Sequence, residues 1–224
     1  MQRTYLPVLM LAAAAAAPTA WAASVFSSRP VDATRFAVLA QPVGSNEWKL
    51  LVLEQVQAQP RCWEERSDGL MDPALNRFDF TGICSRYLDS NGYSLRVEGE
   101  DIANRYRLRL EQRGNSVVLL AMNPSSPDEL PVGRGNLARR DRDAFVSIQL
   151  DAGWELERRV YGAQSLSHVY FANATPLAQL IAKASRSSGS ASSRIPLASA
   201  TVPPRLTPPS SSSPIALQVI PYKP

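Results

Sequence analysis

Arg105-Tyr106-Arg107-Leu108-Arg109-Leu110 alternates charge and apolar bulk at every step. An extended strand turns successive side chains to opposite faces, so this run sends three arginines one way and Tyr106, Leu108 and Leu110 the other. Its pattern is that of a half-buried strand with one solvated face. A stripe of arginines that binds an anion is the alternative. Glu98, Glu100, Asp101 and Glu111 lie close enough in sequence to neutralise it.

Similar short runs lie on both sides, separated by turn residues. Upstream are Phe36 to Ala40, Trp48 to Val56 (WKLLVLEQV) and Tyr93 to Val97. Downstream are Ser116 to Met122, Ala144 to Leu150, Trp154 to Tyr161 and Gln164 to Phe171. The WKLLVLEQV run is apolar on both faces at first, as in a strand in the middle of a core. Gly44-Ser45-Asn46, Asn91-Gly92, Arg113-Gly114-Asn115 and Gly162-Ala163 mark the joints, where glycine and asparagine tolerate tight reversals. About eight strands at this spacing predict an all-β domain, an antiparallel β-sandwich or barrel. Thr175 to Lys183 reads as one short C-terminal helix, with Thr175 as cap and Pro176 in the first turn.

Cys62 and Cys84 are the only cysteines. They can pair with each other or with another chain, and an exported protein favours an internal disulfide. Closing a loop of about twenty residues is worth about 3 kcal/mol in the chain-entropy model. Two cysteines and the distant single histidine do not make a zinc site.

The two ends differ from the body. Met1-Gln2-Arg3, the short apolar run Tyr5 to Ala17 and Ala20-Trp21-Ala22 together read as a signal peptide over residues 1–22. The apolar run is shorter than the roughly twenty residues that span a bilayer, and no later stretch is long enough. Residues 23–183 form the expected globular domain, and 184–214 a Ser/Pro-rich disordered linker. Residues 215–224 turn apolar again. Ile215, Leu217 and Val219 share a face and make a candidate strand for docking on a sheet edge.

Charge follows the same division. Of 24 Lys and Arg, Arg3 sits in the leader and Arg186, Arg194, Arg205 and Lys223 in the tail, leaving 19 in the body against all 20 acids. The basic balance belongs to the tail, which argues against a nucleic-acid-binding domain.

Few residues suggest chemistry. Asp72, Asp79 and Asp89, in or just after the cysteine loop, are candidates for a functional loop together with Asn91. Paired carboxylates can hydrolyse glycosides, although nothing in the sequence fixes their separation. Asp89-Ser90-Asn91-Gly92 shares the opening of a calcium loop, but Tyr93 and Arg96 replace ligand positions and the glycine falls early. An Asn-Gly hairpin accounts for it. His168 has Ser167 beside it on the opposite face of a strand and Ser165 two residues away on the same face. No G-x-S-x-G elbow occurs, so the histidine is expected to be a strand residue with a hydrogen-bonded ring. Neither metal nor cofactor is expected.

Several words of the sequence resemble a family of uncharacterised secreted cyanobacterial proteins known as a domain of unknown function. They are Leu53-Glu54-Gln55, Cys62-Trp63, Phe78-Asp79-Phe80-Thr81-Gly82-Ile83-Cys84, Asp89-Ser90-Asn91-Gly92-Tyr93-Ser94, Gly153-Trp154 and His168-Val169-Tyr170. The resemblance runs from about residue 26 to 173 and implies export and one compact domain. It brings no catalytic residue and no ligand.

The expectation is therefore an exported, periplasmic or extracellular, non-enzymatic module that binds glycan, peptidoglycan or an envelope protein. The alternatives are a structural partner that donates its C-terminal strand to another subunit and a carboxylate-dependent hydrolase of wall or matrix polymers.

Overall fold

The computed structural model describes residues 25–74 and 77–192. In chain order the strands are β1 (Ser27–Pro30), β2 (Phe36–Val43), β3 (Glu47–Gln55), β4 (Trp63–Glu65), β5 (Met71–Pro73) and β6 (Cys84–Tyr87). Next come β7 (Tyr93–Val97), β8 (Glu100–Asp101), β9 (Arg107–Arg113), β10 (Ser116–Met122) and β11 (Glu129–Asn136). The chain continues through β12 (Val146–Ser147), β13 (Gln149–Leu150), β14 (Trp154–Tyr161) and β15 (Gln164–Asn173) to one helix, α1 (Leu177–Ser192). The fold is all-β, its sheets curled into a half-barrel. One sheet runs β1-β14-β15-β7-β8, a second β13-β11-β10-β9, a third β12-β2-β3-β6, and β4 pairs with β5.

The alternating run behaves as its period requires. Tyr106 and Leu110 are buried and Leu108 is half-buried, while Arg105, Arg107 and Arg109 face solvent. Strands β2 and β3 are buried on both faces. Val38, Ala40, Leu50 and Val52 enter the main core with Leu95, Leu119, Val132, Val169 and Phe171. Ala37, Leu39, Leu51 and Leu53 turn the other way, onto Met71 and Phe145, with Trp63 and Phe80 beside them. The stretch between the cysteines thus supplies the cover for the second face of β2 and β3, which explains why a strand pair with two apolar faces precedes it. The Sγ atoms of Cys62 and Cys84 lie 1.97 Å apart and their Cα atoms 6.0 Å.

Two features depart from a purely antiparallel reading. β15 pairs with β7 in parallel, with Tyr170 opposite Ser94. Asn91-Gly92 is not a hairpin tip: β6 pairs with β3 and β7 with β15, so this turn carries the chain from one sheet to another. β11 escapes a sequence reading because Pro131, Gly133 and Gly135 interrupt its pattern. The structure shows why glycine stands there. A Cβ at Gly135 would come within 2.2 Å of the Ser147 carbonyl, and one at Gly133 within 2.6 Å of that of Gln149. The expected strand from Ala144 to Leu150 is a corner: Val146 and Ser147 pair with β2, and Gln149 and Leu150 pair with β11. It changes sheets within a few residues and curls the half-barrel.

The helix runs past Lys183, where the serine-rich composition was expected to end order, as far as Ser192. Ser185 and Ser187 donate their hydroxyls to the carbonyls of Ile181 and Lys183 at 3.0 and 3.1 Å, so these polar groups are satisfied within the helix. Leu177, Leu180, Ile181 and Ala184 pack against the main core and hold the element in place. The candidate strand with Ile215, Leu217 and Val219 lies outside the described residues.

Candidate functional site

The aspartates singled out by sequence are each engaged locally. Asp72, on β5, forms an ion pair with Arg77. Asp79 accepts hydrogen bonds from the backbone N–H and hydroxyl of Thr81 at 2.9 and 2.8 Å. Those bonds, the backbone one first, hold its carboxyl below the usual carboxylate range. Asp89 accepts from the N–H of Asn91 at 2.9 Å, and its own carbonyl accepts from Gly92 and Tyr93. These are turn-stabilising bonds. Each carboxylate serves its own segment, and no hydrogen bond or ion pair joins any two of them. Among the described residues, no three His, Cys, Asp or Glu side chains gather as metal ligands would.

Asn91 contributes its backbone rather than its side chain. Its carbonyl oxygen lies 2.8 Å from Nδ1 of His168. A carbonyl only accepts, so the ring proton sits on Nδ1 and Nε2 is left to accept. Its donor is the Ser94 hydroxyl, 2.9 Å away. Both residues are nine-tenths buried or more. Burial pushes the imidazole below its ordinary value, Arg159 adds to that, and the bond to Asn91 opposes it. The ring is therefore neutral near pH 7.

This pair belongs to a larger polar group on the face of the five-stranded sheet that points away from the main core. Ser94 and Arg96 come from β7, His168 and Tyr170 from β15, Arg159 from β14 and Asp101 from β8. Arg159 donates to Asp101 at 2.6 Å and to the Tyr170 hydroxyl. The sequence placed His168 as a strand residue with a bonded ring, and the structure agrees. It did not place Ser94 beside it, because the two are brought together only by the parallel pairing of distant strands. One signal was present: Ser94 and His168 fall in two of the words that carry the family resemblance.

The Ser94–His168 pair lacks the parts of a nucleophilic site. No carboxylate stands behind Nδ1. Ser94 sits inside a strand rather than on a strand-to-helix turn, so it has no exposed elbow. Its hydroxyl is also within 3.4 Å of Arg159, and both partners are shielded from solvent.

A different region is open. A groove of about 700 Å³ lies between the tip of the β2–β3 hairpin and that of the β9–β10 hairpin, a volume in the range of small-ligand sites. Trp48 lines it with Asn46, Glu47, Arg109, Glu111 and Gln112. The indole is half-buried, and the Arg140 guanidinium stacks on it at 4.5 Å from the ring centre. Arg140 also donates to the carbonyls of Val43, Gly44 and Glu47, which fixes the hairpin tip against the ring. Asn46, Glu47 and Gln112 are exposed around it. Gly44 and Gly114, with φ of +53° and +61°, make the two reversals that bring these tips together. Sequence reading passed over this group because it is assembled from two hairpins far apart in the chain.

The fold and its surface define an all-β chain with one disulfide-closed loop and a polar groove at its hairpin tips, lined in part by Trp48. The chain belongs to the family described as "Protein of unknown function (DUF3747)", whose profile matches residues 3–176. That match takes in the whole apolar run Tyr5 to Ala17 and ends just before α1. No curated protein and no solved structure matches the chain.

Proposed function

We propose that the protein is an exported, non-enzymatic module of the cell envelope or extracellular space, and that it binds a glycan in the groove at Trp48. The observation that carries this reading is the groove itself: an indole surrounded by exposed amide and carboxylate side chains at two loop tips. A pyranose ring has one apolar face and a rim of hydroxyls, which suits a partly open indole among polar side chains. Loop tips on a rigid β scaffold are where such recognition is commonly built.

Export is supported by the leader-like sequence of residues 1–22 and by the cysteine pair at bonding distance. Among the described residues no helix is long and apolar enough to cross a membrane. The non-enzymatic reading is preferred to the hydrolase alternative because Asp72, Asp79 and Asp89 each make local contacts to an arginine or a turn.

Retention of the purified exported protein on insoluble peptidoglycan and on a panel of immobilised polysaccharides tests the reading. Covering the part of the indole that Arg140 and the main core leave open is worth about 1 kcal/mol at 25 cal/mol per Å², so Trp48→Ala is expected to weaken retention about fivefold. Glu47→Ala, at an exposed side chain, is expected to weaken it less and to leave the fold intact. Retention that neither variant alters, or no retention on any polymer, would overturn the groove as the site. A hydrolytic activity lost in Asp79→Asn or Asp89→Asn would overturn the non-enzymatic class.

A further inference from the structure

The sheets that carry β2 and β14 do not join where their edges approach. β12 pairs with β2 only at Leu39 and Ala40, and β1 covers β14 only from Glu157 to Val160. Beyond these pairings each edge holds one more bond. Ile148 donates to the Val38 carbonyl at 2.8 Å, and Val31 donates to that of Leu156 at 3.3 Å. Residues that pair in this way normally exchange two bonds, and the returning ones are absent. Among the described residues, nothing accepts from the N–H of Val38 or of Leu156. The carbonyls of Phe36 and Trp154 lie two residues along the same edges, so they face the same way, and no described donor reaches them.

A cavity of about 390 Å³ lies between the two edges. Val31 and Ala33 border it on one side and the corner from Ser147 to Leu150 on another. Trp63 and Met71 line it from the second core, Trp154 and Leu156 from the main core. Glu155 is the one charged residue among its described walls. Its neighbours Trp154 and Leu156 are buried and it is exposed, so alternation turns its carboxylate to the other face of the sheet. The cleft thus offers apolar side chains and unpaired main-chain donors and acceptors, without charge. A hydrocarbon ligand would leave those main-chain groups unmatched. An extended peptide segment supplies both N–H and C=O along with apolar side chains.

We propose that the chain's own C-terminal segment, Ile215 to Ile220, docks in this cleft as a short extended strand. The segment carries no charge, and Ile215, Leu217 and Val219 give it an apolar face. Pro214 and Pro221, which lack an N–H, bracket it and confine pairing to a few residues. That suits two edges with only a short free stretch each. Reach is sufficient. Trp154 lines both this cleft and the hollow beside Leu180 and Ala184 of α1. The helix ends at Ser192, and a flexible chain the length of residues 193–214, about 22 residues, spans about 26 Å. The cleft is separate from the Trp48 groove and does not depend on the glycan reading.

Amide exchange of the full exported protein, followed by NMR, tests the docking. Amides between Ala216 and Ile220, and those of Val38 and Leu156, are expected to exchange at least about tenfold more slowly in the wild type than in a full-length Leu217→Asp, Val219→Asp variant. Those two changes lie outside the β domain and leave its fold intact. Ala33→Trp, at an exposed residue on the cleft border, is expected to release the 216–220 amides in the same way. Glu47→Ala, at the Trp48 groove, is expected to leave them protected. Amides from 216 to 220 that all exchange as fast as that of Ser211 in the wild type overturn the proposal. So does exchange at Val38 and Leu156 that the tail variant leaves unchanged. Protection independent of protein concentration is expected for docking within one chain. Protection that grows with concentration, with dimers in sedimentation, overturns that docking and gives the cleft to a second copy.

Discussion

The Ser94 hydroxyl donates to Nε2 of His168 across 2.9 Å, from one strand to its parallel neighbour, and the Asn91 carbonyl fixes the opposite side of the ring at 2.8 Å. The only histidine of the chain is thereby held as a single tautomer in a buried site, joining the turn before β7 to the middle of β15.

That arrangement gives His168 a defined effect on stability. Its folded pKa lies below the ordinary 6.5, chiefly because burial disfavours the charged ring. The unfolded chain therefore takes up the proton first as pH falls. The stabilisation is fully present above about pH 6.5 and is lost as pH drops through that value towards the folded pKa. Arg159 opposes protonation and Asp101 favours it, burial being the larger influence. Chemical denaturation between pH 7.5 and 5 is expected to show stability falling with pH, and His168→Gln should flatten that slope. An identical slope in the variant would show that another group controls it.

The Cys62–Cys84 link ties the cover of the second core to β3, where Cys84 pairs with Gln55. Gln55 also accepts from the Cys62 N–H at 2.9 Å and donates to the carbonyls of Gln57 and Pro60. Mass spectrometry of the exported protein should find no alkylatable thiol before reduction. Cys84→Ser is expected to lose about 2–5 kcal/mol in denaturant, the usual loss for a native disulfide in a small secreted domain.

Glu54 and Arg158 join two sheets. They pair at 2.7 Å with side chains 15 % and 17 % exposed, and the Tyr87 hydroxyl donates to Glu54 at 2.6 Å. Removing one member leaves the other charge buried, so Glu54→Ala should destabilise by about 3 kcal/mol. Glu54→Ala combined with Arg158→Met should cost less than the sum of the two single changes. Additive effects in that double-mutant cycle would show that the pair is not coupled.

Gly135 is expected to tolerate no side chain. A methyl group there meets the Ser147 backbone carbonyl at 2.2 Å and the stiff β-branched side chain of Val146, at Cγ1, at 2.5 Å, both on the corner segment. Gly135→Ala should lose about 2–3 kcal/mol or more through overpacking. Gly44→Ala has nothing within 4 Å and meets only the strain of a positive φ, so its loss should be smaller, about 1 kcal/mol. Equal thermal midpoints for the two variants would contradict the close crossing.

The sequence by itself determined what period and composition can carry. Alternation placed Tyr106, Leu108 and Leu110 on an inner face, and the doubly apolar WKLLVLEQV run announced a strand covered on both sides. Two cysteines in a chain with an export-like leader announced their own pairing. These are local properties, set by a two-residue repeat and a count. Tertiary structure decided everything that depends on which distant strands become neighbours. The parallel pairing of β15 with β7 brought Ser94, Arg96, His168 and Tyr170 to one face, and two hairpin tips assembled the groove around Trp48. The local contacts of Asp72, Asp79 and Asp89, to Arg77 and to the turn N–H groups of Thr81 and Asn91, also came only with the structure. Gly133 and Gly135, which obscured β11 in the sequence, are explained only by the chain that crosses above them. Pairing partners lie on different parts of the chain, and a strand's period says which way a side chain points but not what it meets.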